Sequence, residues 1–273
     1  MILFYEICIS HKGFDRLKMK ELKKYTAMKK SNFLVILIAF STVLSGCVNL
    51  ESEHDKTTIL AKRLNICVIL DGTDRLCNQA GVPIVSSDEI VEFAKMLANN
   101  GVGSFYLSYV DNNCDNNRVA VFEWDMKKPT EIGRKPGHVK VAEYDAMKSA
   151  NKMEMAAYSE ALNNAVELFA RDCETICKSA YSDIVAKQKN GSDVTGAINQ
   201  AIRLLRANQE ESDFSSIILV SDGCDNVGKQ LDDLQSSKLF IVNSNVSKHQ
   251  YADIVSKEFV TLRQSFNYIF SKK

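Results

Sequence analysis

The stretch LNICVILDGTDRL, Leu64 to Leu76, decides how the chain reads. Five of the six residues from Leu64 to Ile69 are apolar or cysteine, and the run ends abruptly in Asp71, Gly72, Thr73, Asp74 and Arg75. A short apolar run closed by a turn predicts a strand buried on both faces. Two later stretches repeat the pattern: SSIILVSDGCDN (215–226) and KLFIVNS (238–244). Between the runs come helical patterns. SSDEIVEFAKMLANNG places Ile90, Phe93, Ala94 and Leu97 on one stripe, with Ser87 as the expected N-cap and Gly101 as the C-cap. SFYLSYV (104–110) and RVAVFEWD (118–125) predict a hairpin across the loop DNNCDNN, expected to be solvated rather than calcium-binding. NGSDVTGAINQAIRLLRANQ (190–209) predicts a loop entering an amphipathic helix, and ADIVSKEFVTLRQSFNYIF a closing helix. Alternating strands and helices predict an α/β fold, a doubly wound and mostly parallel sheet of Rossmann-like class.

One segment interrupts the alternation. His138 to Lys189 places Tyr158, Leu162, Ala165, Phe169, Cys173, Ile176, Ala180 and Ile184 at helical spacing. A single helix of about 50 residues would be roughly 75 Å long, so two helices or a bent one are expected, forming an inserted excursion that caps the domain.

In open parallel sheets ligands gather beyond the carboxyl ends of the strands, where Asp71 and Asp222 fall. LDGT is similar to the first motif of haloacid-dehalogenase-type phosphatases, but the position of that family's nucleophile is here Ile69. An isoleucine cannot attack phosphorus. A phosphohydrolase using Asp71 and Asp222 is therefore the rival reading. Residues 62–270 resemble the von Willebrand factor A domain more broadly. That family carries Asp-x-Ser-x-Ser after its first strand, a threonine in a later loop and an aspartate after its fourth strand. The counterparts are Asp71-Gly72-Thr73-Asp74-Arg75, Thr195 in GSDVTGAINQAI, and Asp222 in IILVSDGCDN. The resemblance implies a metal-ion-dependent adhesion site. Its oxygen ligands, Asp71, Thr73, Thr195 and Asp222, suit Mg2+ or Mn2+, and an acidic side chain of a protein partner fills the open position. It implies binding and no reaction. Arg75 departs from the pattern, because a guanidinium offers five donors and no acceptor. Either Arg75 swings aside and leaves a weakened site, helped by Asp74, or it takes the metal's place and no ion binds. A third reading makes the helical excursion the binding surface and the metal site vestigial.

The chain's beginning reads differently. From Met28, two lysines precede the apolar run Phe33 to Leu44, shorter than the roughly 20 residues a spanning helix needs. This is the pattern of a secretory signal over 28–46. Leu44-Ser45-Gly46-Cys47 resembles the lipobox of bacterial lipoproteins, which implies cleavage before Cys47, lipid on its thiol, and a tether over 47–61. Residues 1–27 are then an upstream extension, with Met19 or Met28 as the start. The implied location is the bacterial cell envelope. Val48 favours the outer membrane in a Gram-negative cell.

Charge agrees with a protein-binding role. Of 34 basic and 34 acidic residues, eight and three lie in 1–46, so the remainder carries 26 and 31, a net charge of −5. That offers no electrostatic footprint for nucleic acid. Besides Cys8 and Cys47 the chain holds six cysteines. Cys77, Cys114, Cys173, Cys177 and Cys224 are candidates for disulfides in an exported protein, whereas Cys67, mid-strand, is expected to be a buried thiol. No Cys-x-x-Cys or neighbouring histidine pair suggests zinc.

Overall fold

The computed structural model describes residues 62–72, 82–115, 117–181, 191–207, 213–243 and 249–272. The signal segment, Cys47 and the tether lie outside them, as do Thr73, Asp74, Arg75 and Cys77. Every described element belongs to a compact unit, residues 60–273. That unit holds both hydrophobic clusters and so carries its own core, the requirement for folding alone.

Strand β1 is Leu64–Leu70 and is buried along its whole length. Helix α1 (Ser87–Asn100) follows. Ser86, rather than Ser87, is its N-cap, with Oγ accepting the Glu89 N–H, while Gly101 closes the helix as expected. Strands β2 (Gly103–Tyr109) and β3 (Ala120–Trp124) form the expected antiparallel hairpin. Helix α2 (Val141–Tyr181), α3 (Val194–Ala207), β4 (Phe214–Val220) and β5 (Lys238–Val242) come next. The sheet order is β3-β2-β1-β4-β5-β6, with every pairing parallel except β2–β3.

Two expectations are corrected. Residues 141–181 form one α-helix of 41 residues, not two helices. Its second half buries Tyr158, Val166, Phe169, Cys173, Ile176 and Ala180 against the sheet, so it is part of the core. That burial supplies the support a free helix of this length would lack. From Val141 to Ala157 no residue of the helix is buried. The closing segment is also not wholly helical. Val255–Phe259 is a sixth strand, β6, parallel to β5, and only Leu262–Ser271 is the last helix, α4. An edge strand needs few apolar residues, and β6 has a buried Phe259 beside exposed Lys257 and Glu258.

Alternation along the strands sorts side chains onto two faces. Ile66, Val68, Ile218 and Val220 meet α1, α2 and α4, where Phe93 stacks on Phe266 at 3.9 Å between ring centroids. Cys67, Ile69, Ile217 and Leu219 meet α3 on the other face. Helices therefore cover both faces. The neighbours of β1 are β2 on one side and β4 on the other, so connections leave in opposite directions at the β1–β4 boundary. A crevice at the carboxyl ends of those two strands is the usual consequence.

Candidate functional site

Asp71 is the first residue past β1, and its N–H donates to the Val220 carbonyl at 3.0 Å, extending the ladder by one bond. Its side chain is only 2% exposed. A buried carboxylate needs donors. The Ser221 hydroxyl donates to Asp71 Oδ2 at 2.6 Å, and the same oxygen of Ser221 accepts the Gly223 N–H at 2.9 Å. Ser221 thus links the end of β1 to the turn after β4. Gly72 is forced by packing. A Cβ there would lie 1.9 Å from the Ala180 carbonyl oxygen, where the last described turn of α2 crosses the chain. The Tyr181 hydroxyl accepts the Val85 N–H at 3.0 Å and ties that end of α2 to the approach to α1.

Thr195 lies in the first turn of α3 and is buried. Its N–H donates to Asp225 Oδ2 at 2.8 Å, and its hydroxyl lies 2.8 Å from the Tyr251 hydroxyl. Gln250 Nε2 also donates to that tyrosine oxygen, at 2.7 Å. Burial raises the Tyr251 hydroxyl to about 12, so it stays protonated and able to donate. Burial also pushes the Asp225 carboxyl up, but hydrogen bonds from Thr195, Val227 and Gly228 outweigh it and hold the group below its ordinary 3.8. A depressed carboxylate contributes stability that is complete above the unfolded value, about 3.9, and is lost as pH falls through the folded one. Asp225→Asn should therefore be less stable than wild type near neutrality and lose less between about pH 5 and about pH 2. Unfolding midpoints across that range check this.

Asp193 braces the same corner and is wholly buried. Its Oδ1 accepts the Gly196 N–H at 2.9 Å, an N-cap contact, while Oδ2 accepts the Cys114 N–H at 2.9 Å and pairs with Lys229 at 2.7 Å. Asp193 and then Asp115 hold the Lys229 ammonium above its ordinary value. One carboxylate so fastens the β2–β3 loop, the start of α3 and the loop after β4.

Asp222 is half-buried, and its Oδ1 accepts the Cys224 N–H at 2.9 Å. Among the described residues neither Thr195 nor Asp222 bonds Asp71 directly. The structure instead joins Asp71 to Ser221, and Thr195 to Asp225 and Tyr251, with Asp222 and Gly223 on the turn between. Thr73, Asp74 and Arg75 lie outside the described residues, and no group of three or more His, Cys, Asp or Glu side chains converges among the described ones. Ile69, two before Asp71, is fully buried in the cluster under α3.

Sequence reasoning missed Ser221, Asp225, Asp193, Tyr251 and His249. Asp193 had a signal, since aspartate just before a helical pattern is a preferred N-cap. Tyr251 and His249 had none, because they arrive from beyond β5. His249 packs on Gly223, where φ is +76° and a Cβ would lie 2.7 Å from the histidine Cβ. Its Nε2 is 2.9 Å from Glu258 Oε1.

Cys67, Cys114, Cys173 and Cys177 are free thiols in the structure. Cys114 packs on the α3 face, while Cys173 and Cys177 pack on the opposite one. The sheet therefore separates Cys114 from both. Burial raises the thiols of Cys67 and Cys114 to about 12, that of Cys177 to about 11, and that of Cys173 as well. The thiolate is the reactive form. Of these four, half-buried Cys177 should react first with a maleimide in the native protein, and Cys67, Cys114 and Cys173 only on unfolding. Mass mapping of the labelled peptides checks the order.

Comparison of the chain with family models, with curated proteins and with solved structures gave no match.

Proposed function

We propose that this chain is a lipid-anchored envelope protein, held by Cys47, whose α/β unit is of the von Willebrand factor A kind. It binds a protein partner at the carboxyl edge of the sheet through Mg2+ or Mn2+ held by Asp71, Thr73, Thr195 and Asp222. The observation that carries this reading is the buried carboxylate of Asp71 just past β1, at the β1–β4 boundary where connections leave in opposite directions. The donor set is all oxygen, which fits a hard divalent ion. Thr195 fits as well. With Thr195 donating to Tyr251, and Tyr251 to Asp225 at 3.4 Å, both lone pairs of the threonine hydroxyl remain for a cation. The half-buried Asp222 leaves the site open towards an acidic side chain of the partner. Two features of the topology support the kinship: the sheet order and the single antiparallel strand β3 beside β2.

A second reading has one observation behind it. The first half of α2 exposes Val141, Met147 and Met153, at 63%, 49% and 74%, and could serve as the partner surface of a scaffold.

Titration of residues 60–273 with Mn2+, followed by loss of the free ion's paramagnetic resonance signal, tests the first reading. One bound ion per chain is expected, weakened at least tenfold in Asp71→Asn and in Asp222→Ala, since each removes a charged ligand worth about 1.5–3 kcal/mol. Absence of bound manganese in the wild type would leave Arg75 as the cation and remove the metal from the account.

A further inference from the structure

At the opposite end of the sheet from Asp71 lies a hollow of about 180 Å3, roofed by the end of α4 and floored by the first residues of β1, β4 and β5. We propose that it is a second binding site and takes a small amphipathic carboxylate, an aromatic or short-chain acid.

Size sets the first limit. A cavity of roughly 150 Å3 lined by apolar side chains holds benzene, so this one has room for a single ring and a small polar group. Leu64, Phe214, Phe240, Tyr268 and Ile269 supply an apolar lining. Polarity sets the second. Phe214, Ser216, Ile218 and Val220 alternate onto the α4 face of β4, because Ile218 and Val220 belong to the core cluster there. The Ser216 hydroxyl therefore points into the hollow. Ser216 is 5% exposed. A hydroxyl facing the hollow can donate to a ligand oxygen.

Charge sets the third. Lys238 is the register neighbour of Ser216 on β5, and it shares a face with Phe240 two residues on. Lys272 lines the hollow from the end of α4. Neither lysine makes an ion pair among the described residues. The one acid in the lining, Asp213, has its oxygens engaged by the Arg63 N–H and the Asn65 amide, both at 3.2 Å. Lys62 adds a third cation nearby, 4.9 Å from the Phe214 ring centroid. A hydroxyl donor and two ammonium groups without a carboxylate partner among the described residues, one of them over the Tyr268 ring at 5.7 Å from its centroid, select an anion with an apolar body. They select against a bare inorganic anion, which would leave the rings uncovered, and against a neutral ring, which would leave the lysines unpaired.

The test is saturation-transfer NMR and calorimetry of benzoate binding to residues 60–273, with benzamide and inorganic phosphate for comparison. Benzoate should bind with a Kd of about 1 mM or tighter, and benzamide and phosphate at least about tenfold more weakly. Lys238→Gln with Lys272→Gln, both at exposed positions, should weaken benzoate about tenfold or more, and Ser216→Ala several-fold. Ser216→Leu, which fills the hollow, should abolish binding; the lysine pair variant decides the matter if that protein fails to fold. No transfer to benzoate, equal affinity for benzamide, or full affinity in the lysine variant would overturn the proposal.

Discussion

Gly72→Ala should lower the stability of residues 60–273 by roughly 3 kcal/mol, the upper part of the range for overpacking a fitted interior. The reason is the 1.9 Å approach between the added Cβ and the Ala180 carbonyl oxygen, with the carbonyl carbon at 2.7 Å. Both neighbours are backbone, so no side chain can rotate away. Either β1 must lift at its end or α2 must shift along its length. A domain of this size loses roughly 2–4 °C of midpoint per kcal/mol, so a fall of about 6–12 °C in thermal unfolding is expected. Gly133→Ala and Gly137→Ala are the controls. Nothing lies within 4 Å of a Cβ at either position, and neither should move the midpoint by more than about a degree. If Gly72→Ala matches them, the end of α2 is not packed on the Asp71 turn. The same shift would move Asp71, so metal affinity should fall with stability.

Asp193→Ala should cost about as much by a different route. Loss of an N-cap side chain costs about 0.5–2 kcal/mol. Stranding a buried N–H, here that of Cys114, costs about 1–3 more. The sum is roughly 3 kcal/mol. Lys229 adds little, because it is 30% exposed and can turn to water. Asp193→Asn separates the terms. The amide oxygen can still cap α3 but loses its charge for Lys229, so this variant should fall between wild type and alanine. Hydrogen exchange at the Gly196 and Cys114 amides locates the damage: both should lose protection in Asp193→Ala. Unchanged protection at Cys114 would mean that its loop is held by something other than Asp193.

Strand β1 was legible because a fully buried strand needs a nearly continuous apolar run and a polar stop, and Leu64–Leu70, interrupted only by Asn65, has both. The hairpin was legible from its Asx-rich loop. Strand β6 was not. At an edge, one buried phenylalanine suffices, and VSKEF carries too few apolar residues to separate a strand from the start of a helix. The single helix α2 was misread for a related reason. Its first half exposes its side chains, so periodicity there is weak, and only the sheet beneath Phe169 and Ile176 shows why the helix continues unbroken to Tyr181. At the site, Asp71 and Asp222 were legible as polar residues at the ends of apolar runs, whereas Thr195 was singled out only by the family resemblance. Their partners were not, since Ser221 and Tyr251 are ordinary residues whose roles come from the register of β1 with β4 and from a loop after β5. A hydroxyl's place in a network depends on what lies across from it, which one strand's sequence does not carry.

The central claim is that the carboxyl edge of this sheet holds a divalent cation. Thermal unfolding of residues 60–273 in EDTA, against millimolar Mg2+ or Mn2+, tests it most directly in wild type and in Arg75→Ser. An ion at about 100 times its Kd stabilises the folded state by about 2.7 kcal/mol, which for this length is a rise of roughly 5–10 °C. The account predicts a rise in wild type and a larger one in Arg75→Ser, where a hydroxyl replaces the guanidinium. A midpoint that ignores both ions in both proteins would contradict it.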